Sequence, residues 1–486
     1  MEAVGDCYTI RGTPMSQNTN AAEKGGATPL LADHRATYSL VEIPPPKRSW
    51  VRKTSLHLIH FAIIAGVFYF FVPWLLLGDK FRHSVASIGN ITDWGYEDYS
   101  PSPKDCVTRA DWTCGLHVPP RYGQFHHYAH TSFDLPRSSS LLEFVSRGVL
   151  SHGSIEIVND GTDPNKVTVE VDLSYNLDDV FDRVNVCMIQ RGDDKNGIGI
   201  FSPRYHSHPY IQEGTQFVVK VHLPVEEGLQ RYEGLATDMP SFAHVVGDLG
   251  TNVFFDSITL KATNAPINVK SLSAESATLV ATNDVIRGAV NATITETHPS
   301  TGLIEGDINA YNISIITSNS PIVVRLNLLN SYAKNLSNAF LYTTNAPIDS
   351  QVTLISKTIL KTGGAFNVTA ITNGSPIIMI FPLAPAYSKL DFSAQTSIGS
   401  IWTKLHPAFD GSFTANTTAL IQPTLVWDPA VVDPAVKGRH REVTVSRKGS
   451  GMLAGETHWL PTLPDDAKGT SKAQMNTTNA AISVNL

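Results

Sequence analysis

Beyond residue 140 the chain alternates apolar and polar positions, as in Val167-Thr168-Val169-Glu170-Val171-Asp172-Leu173 and Phe217-Val218-Val219-Lys220-Val221-His222-Leu223. Successive side chains of a strand point to opposite faces, so this period of two predicts half-buried strands. No long stretch beyond residue 77 carries helical spacing, and the bulk of the chain is expected to be mainly β. One segment breaks the pattern. Between Lys53 and Asp79, 25 residues contain no Lys, Arg, Asp or Glu, and residues 56–77 read LHLIHFAIIAGVFYFFVPWLLL. About 20 apolar residues cross the hydrocarbon core of a bilayer, so one transmembrane helix is expected at 56–77.

A short motif punctuates the alternation. It appears as Thr263-Asn264-Ala265-Pro266-Ile267, Thr282-Asn283-Asp284-Val285-Ile286, Ser318-Asn319-Ser320-Pro321-Ile322 and Thr344-Asn345-Ala346-Pro347-Ile348. Looser copies are Thr372-Asn373-Gly374-Ser375-Pro376-Ile377, Ser397-Ile398-Gly399-Ser400-Ile401 and Thr478-Asn479-Ala480-Ala481-Ile482. In each, Asn closes a turn and tolerates a left-handed backbone, Pro pre-sets φ, and Ile opens the next strand. The first four Asn positions lie 19, 36 and 26 residues apart, the scale of stacked coils and not of tandem domains. The expectation is therefore a β-solenoid-like repeat, with a β-sandwich of irregular hairpins as the alternative.

Topology follows from charge and from Asn-x-Ser/Thr sequons. Lys47, Arg48, Arg52 and Lys53 precede the span, against Lys80 and Arg82 after it, which favours a cytosolic N-terminus. Sequons at Asn90, Asn291, Asn312, Asn335, Asn367, Asn373, Asn416 and Asn476 all follow the span, and Asn373 is the poorest because Pro376 directly follows its sequon. The reading is a single-pass type II membrane glycoprotein of the plasma membrane or secretory pathway. In Phe366-Asn367-Val368-Thr369-Ala370 the sequon residues fall opposite the apolar ones, as Asn312 and Ser314 do to Ile313 and Ile315, so glycans there would point outward.

The expected order is a disordered tail over 1–55, the helix over 56–77, a stalk and membrane-proximal region over 78–139, a β-rich domain over 140–250 and a β-repeat domain over 251–486. The tail carries +2 and the remainder −9 of a net charge of −7, with only 17% charged residues. Such a balance excludes a nucleic-acid partner. Four cysteines rule out a disulfide-dense scaffold. Cys106 and Cys114, eight apart on the oxidising side, are expected to pair, and Cys187, within Val184-Asn185-Val186-Cys187-Met188-Ile189, to be a buried thiol.

The Thr-Asn-Ala-Pro-Ile and Thr-Ser-Asn-Ser-Pro-Ile copies, Gly438-Arg439-His440-Arg441 and Gly455-Glu456-Thr457-His458-Trp459 together resemble an uncharacterised family of fungal membrane-anchored proteins. That family is similar to the adhesin-type repeat domain of unknown function. The resemblance covers about residues 140 to 486. It implies a repetitive β fold at a fungal cell surface and brings no catalytic residues.

A membrane-anchored carbohydrate-active enzyme is the alternative, and its marks can be sought. Asp-x-Asp, Gly-x-Ser-x-Gly, His-Glu-x-x-His and a phosphate-cradling Gly-x-x-x-x-Gly-Lys-Ser/Thr do not occur. Adjacent aspartates at Asp178-Asp179, Asp193-Asp194 and Asp465-Asp466 sit in polar, turn-like segments and read as solvated loop charge. His126, His127 and His130 cluster, and His206 and His208 share a face if extended, but no carboxylate or cysteine set with ligand spacing accompanies them. No catalytic, metal or cofactor site is expected. The expected partners are membrane lipid and cell-wall polysaccharide or surface proteins, met by a non-enzymatic, adhesin-like surface.

Overall fold

The alternation becomes strand geometry directly. In Ile322–Asn330, Ile322, Val324, Leu326 and Leu328 are buried while Val323 and Arg325 face solvent. The computed structural model describes residues 106–115, 125–192, 194–203, 214–297, 302–331, 336–462 and 471–486. The tail, the candidate span at 56–77, Asn90, Asn335, His206 and His208 lie outside the described residues. Among the described residues no helix is long and apolar enough to cross a membrane. Tyr99–Leu486 forms one unit, mainly β, in which a single short helix is described, Asp178–Asp182.

Between residues 253 and 404 the strands stack in parallel to form two walls. The first wall holds Ile304–Ala310, Ile322–Asn330, Ile348–Ser356, Ile377–Ile380 and Ile401–Lys404. The second holds Asn312–Thr317, Leu336–Thr343, Ala365–Thr372 and Lys389–Thr396. The long strands Ile267–Ala281 and Ile286–Thr297 bend from one wall into the other, so all strands join one continuous, open ladder. Each coil thus runs up the first wall, returns along the second, and turns at the Asn-containing corner. Parallel neighbours require such crossovers, whereas a sandwich of hairpins would pair antiparallel.

The corners explain the irregular spacing. Ile267, Ile286, Ile304, Ile322, Ile348, Ile377, Ile401 and Ile482 lie opposite one another on successive rungs and are all buried. Ile304 belongs to a corner the motif reading passes over, Gly302-Leu303-Ile304, so the 36-residue gap between Asn283 and Asn319 is two coils and not one. Glycine stands there because a Cβ at Gly302 would meet the Asp284 carbonyl oxygen at 1.6 Å, and Gly399 meets that of Ser375 at 1.8 Å in the same way. A further ladder precedes the motif. The buried hydroxyls of Thr343, Thr372, Thr396, Thr477 and Thr417 donate to carbonyls of Ser320, Ala346, Ser375, Gly399 and Ala480 on the neighbouring corner.

Both ends of the stack depart from chain order. Leu141–Arg147 lies between Lys195–Phe201 and Gln230–Asp238, and Gly153–Gly161 lies between Thr215–Pro224 and Phe242–Asp248. At the other end Ser471–Thr477 inserts between Lys389–Thr396 and Gly411–Thr417, while Ile482–Asn485 inserts between Ile401–Lys404 and Thr424–Val426. Antiparallel strands then cover Lys195–Phe201 and Thr215–Pro224 at one end, through Asn185–Gln190 and Lys166–Tyr175, and Gly411–Thr417 at the other, through the hairpin of His440–Gly449 and Met452–Leu460. Covered edges remove the unpaired N–H and C=O rows that would template further pairing.

The expected Cys106–Cys114 disulfide is corrected. Cys106 is bonded to Cys187, with Cα atoms 5.8 Å apart. Strand Cys106–Arg109 pairs with Asn185–Gln190, whereas Thr113–Gly115, which carries Cys114, pairs with His127–Pro136. The two cysteines of the local pair are thus drawn to different strands, and Cys187 is not a buried thiol. Closing a loop of sequence separation 81 restricts the unfolded chain by about 4 kcal/mol. Non-reducing peptide mapping is expected to recover a Cys106–Cys187 peptide, and Cys187→Ser to lower stability by up to that amount; a Cys106–Cys114 peptide would refute the pairing.

Candidate functional site

Parallel in-register stacking turns the outer face of the second wall into straight rows of side chains. One row runs Ile294, Asn312, Asn338, Asn367, Asp391. Here the amides are joined: Asn338 Nδ2 donates to Asn312 Oδ1 at 3.2 Å, and Asn367 Nδ2 donates to Asn338 Oδ1 at 3.2 Å. The next rows are Glu296, Ser314, Phe340, Thr369, Ser393 and then Ile316, Tyr342, Ile371, Gln395.

Phe340 and Tyr342 stand two apart on strand Leu336–Thr343 and so share the outer face. Their rings are parallel within 7°, with centroids 6.3 Å apart. Phe340 is 36% exposed and stands on its row between Ser314 and Thr369. The arrangement sets two aromatic rings among the side chains of Ser314, Thr369 and the Asn312–Asn338–Asn367 row. A sugar ring presents the same two characters, C–H faces and a hydroxyl rim.

The sequon residues fall on these faces. Asn312 and Asn367 flank the aromatic pair one row away, and Asn416 Nδ2 donates to Asn476 Oδ1 at 3.0 Å on the adjacent rung. Asn291 is exposed on Ile286–Thr297, and Asn373 is exposed in its corner. The outward phase read from alternation at Asn312 and Asn367 holds, since Ile313, Ile315, Phe366 and Val368 are buried. The corner asparagines make their own ladder, Asn283 Nδ2 donating to Asn264 Oδ1 at 2.8 Å and Asn345 Nδ2 to Asn319 Oδ1 at 3.0 Å.

Where described, the polar clusters weighed for chemistry make local contacts; Asp193, Asp465 and Asp466 lie outside the described residues. Asp178 and Asp179 open the short helix, and Arg183 approaches Asp179 at 3.3 Å. His127 stacks on Tyr175 with centroids 5.0 Å apart and lies 3.9 Å from Asp178. His130 Nδ1 sits 2.7 Å from Asp172 Oδ1, to which Tyr128 donates its hydroxyl at 2.5 Å. Burial, reinforced by that bond and the charge of Asp172, pushes the Tyr128 phenol well above its ordinary value. Among the described residues no group of three or more His, Cys, Asp or Glu converges as a metal site would.

Sequence reasoning did not single out Phe340 and Tyr342, although a signal was present. Both share the phase of Asn338, two and four residues on, and Asn338 lies on the polar face.

No protein-family model and no curated protein matches the chain. Among solved structures it is similar to a "putative cell adhesion protein" from Clostridium sporogenes, at 8% identity over 73% of this chain and 98% of that one, with a TM-score of 0.13. It is also similar to a "putative adhesin" from Bacteroides fragilis, at 13% identity over 57% of this chain and 96% of that one, with a TM-score of 0.28. Values this low leave the functional reading to the geometry of the chain itself.

Proposed function

We infer that the chain is an adhesin-like surface protein whose stacked β-coils bind cell-wall polysaccharide through the outer face of the second wall. The observation that carries the reading is the parallel, outward pair Phe340 and Tyr342, set between isoleucines and hydroxyls and beside the Asn312–Asn338–Asn367 amide row. Aromatic faces take apolar ring faces, and fixed amides and hydroxyls take the hydroxyl rim. Rigid rungs also hold both rings at fixed positions, so little ordering cost falls on binding. The apolar run at 56–77 would anchor the protein in membrane lipid as a type II glycoprotein whose Asn312 and Asn367 amides are left unmodified, and the resemblance of 140–486 to fungal membrane-anchored proteins supplies the setting.

The test uses the purified full-length chain in detergent, incubated with insoluble fungal cell-wall polysaccharide, with bound protein and released reducing sugar measured in the same tubes. Binding without sugar release is expected. Phe340→Ser and Tyr342→Ser are each expected to weaken binding about tenfold, as loss of one stacking contact implies, and neither is buried enough to unfold the coil. Sugar release above a heat-killed control would replace this reading with the enzyme alternative, and unchanged binding in the double variant would move the contact surface elsewhere.

A further inference from the structure

On the edge opposite the asparagine corners, the connection from Ile348–Ser356 to Ala365–Thr372 is the loop Lys357-Thr358-Ile359-Leu360-Lys361-Thr362-Gly363-Gly364. Hydrogen bonds close its neck. The Ser356 and Thr358 hydroxyls both donate to the Thr362 carbonyl, at 2.9 and 3.0 Å, and the Lys361 N–H donates to the Thr358 carbonyl at 3.0 Å. Its base is tied to the coils on either side, the Lys357 N–H donating to the Asn330 carbonyl and the Gly363 N–H to the Ala386 carbonyl, each at 2.7 Å. Ile359 and Leu360 are thereby fixed at the two central positions of a tight turn, 101% and 80% exposed. Turn centres draw Pro, Asn, Asp and Gly, because those residues act on the backbone. Ile and Leu do nothing for the turn, and at this exposure they add nothing to the core. Leu383, 66% exposed, lies on the corresponding connection of the next coil.

The charge around this tip is one-sided. Residues 350–390 contain Lys357, Lys361 and Lys389 and no Asp, Glu or Arg, in a chain whose net charge is −7. All three lysines are exposed, and none has an ion-pair partner among the described residues. Two carboxylates stand along the same edge: Asp391, two residues past Lys389, and Asp410, two coils on, which meets His458 Nδ1 at 3.0 Å. Leu420 is the contrast within the molecule. It is 100% exposed in the corner after Gly411–Thr417, but no Lys or Arg occurs between Lys404 and Lys437.

We propose that the 357–364 loop docks on a phospholipid bilayer, with Ile359 and Leu360 entering the acyl boundary while Lys357 and Lys361 meet lipid phosphates. The contact is separate from the apolar run at 56–77 and would lay one edge of the stack against a membrane. A bilayer suits the tip better than a protein does. Lysine is depleted at the centre of protein interfaces, and three apolar side chains fall short of the roughly 800 Å² that a stable interface covers on each partner. At a bilayer the lysine stems run along the apolar tip and their ammonium groups reach the headgroups. The closed neck also presents the tip already ordered.

The test places the full-length chain in nanodiscs of equal parts phosphatidylcholine and phosphatidylglycerol, with or without brominated acyl chains. Leu360→Trp puts a reporter at the tip, Leu420→Trp puts one at the contrasting corner, and the wild-type chain supplies the background of its own seven tryptophans. Against that background the Leu360→Trp reporter is expected to be blue-shifted, quenched by the brominated lipid and shielded from iodide, whereas the Leu420→Trp reporter stays open to iodide. Adding Ile359→Ser, or Lys357→Glu with Lys361→Asn, to Leu360→Trp is expected to lower the ratio of docked to free tip about tenfold. Asn suits Lys361, whose φ of 52° is left-handed, so the turn is kept. Resistance to carbonate washing reads the anchor at 56–77 separately, and either contact can fail without the other. Quenching by brominated lipid no greater at Leu360→Trp than at Leu420→Trp, or unchanged by the lysine substitutions, would overturn the proposal. Shielding from iodide without quenching by brominated lipid would overturn it too and give the tip to a protein partner, a second copy of the chain included.

Discussion

Ending the chain at residue 470 is expected to unfold the C-terminal half of the stack while the coils from 253 to 356 keep their structure. The sixteen residues removed are no appendage. Ser471–Thr477 and Ile482–Asn485 each sit between two other strands, so their loss leaves Lys389–Thr396 and Gly411–Thr417 two rung spacings apart, about 9.5 Å, beyond hydrogen-bond reach. It also removes Met475, Ile482, Val484 and Leu486 from the core. Burying four such side chains is worth about 6–12 kcal/mol, comparable with the entire stability of a typical domain. Met475→Ala alone is expected to cost about 2–5 kcal/mol. Hydrogen exchange is the appropriate measurement, because nearest-neighbour coils can lose protection locally. Amides of 389–426 should exchange freely in the truncated chain, and a synthetic peptide of residues 471–486 should restore their protection in trans. Retained protection without the peptide would show that the two flanking rungs close on each other, and the inserted rung would then carry little of the stability.

How much of this was legible in the sequence depends on distance along the chain. Strand phase is local, and alternation alone places Asn312, Asn367, Ile322 and Val324 on their faces. The Asn-Pro-Ile corner is local too, because each of its residues acts on its own backbone. The Gly302-Leu303-Ile304 corner escaped because a close carbonyl approach, and not a turn side chain, dictates its glycine, so the motif changes letters while the geometry persists. Cys106 shows the limit from the other side. Proximity in sequence favoured Cys114, but strand pairing carried the two apart and brought up Cys187, a choice made by contacts between residues far apart in the chain. The order of rungs at both ends is of the same kind, since nothing within 471–486 states which strands it will separate. At the candidate site, the platform aromatics were readable from phase and were passed over among many aromatics. The buried His406 and Arg441 were not readable at all, because a polar residue in a loop and one turned into the core from a loop or a hairpin strand look alike in sequence.

Acid is expected to destabilise the stack between pH 6.5 and 4 through two histidines held neutral inside it. His244 is buried with its Nδ1 2.9 Å from the Phe242 carbonyl, which it serves as donor, and its Nε2 2.7 Å from the Thr237 hydroxyl, which in turn accepts from the Lys261 N–H. Burial pushes its pKa down to about 4, only partly offset by the Phe242 bond and the charge of Asp238. His406 is pushed down to about 3, first by burial and then by the charge of Arg441. In each case the unfolded chain binds the proton from pH 6.5 downward while the folded chain refuses it, so stability is full above 6.5 and falls with pH until the folded pKa is reached. By pH 4 the loss amounts to about 3 kcal/mol for each histidine. His458 works in the opposite sense, its raised pKa adding stability on the acid side, but it is half exposed and solvent screening keeps that gain small. Asp433, whose hydrogen bonds to Arg439 and to backbone N–H groups outweigh its burial, gives up its share only at still lower pH. Urea unfolding at constant ionic strength should therefore show a midpoint that declines steeply from pH 6.5 to 4. His244→Gln with His406→Leu should flatten most of that decline, at some cost in stability near neutrality. A wild-type midpoint that stays level across this window would mean that one or both imidazoles take up their proton inside the fold.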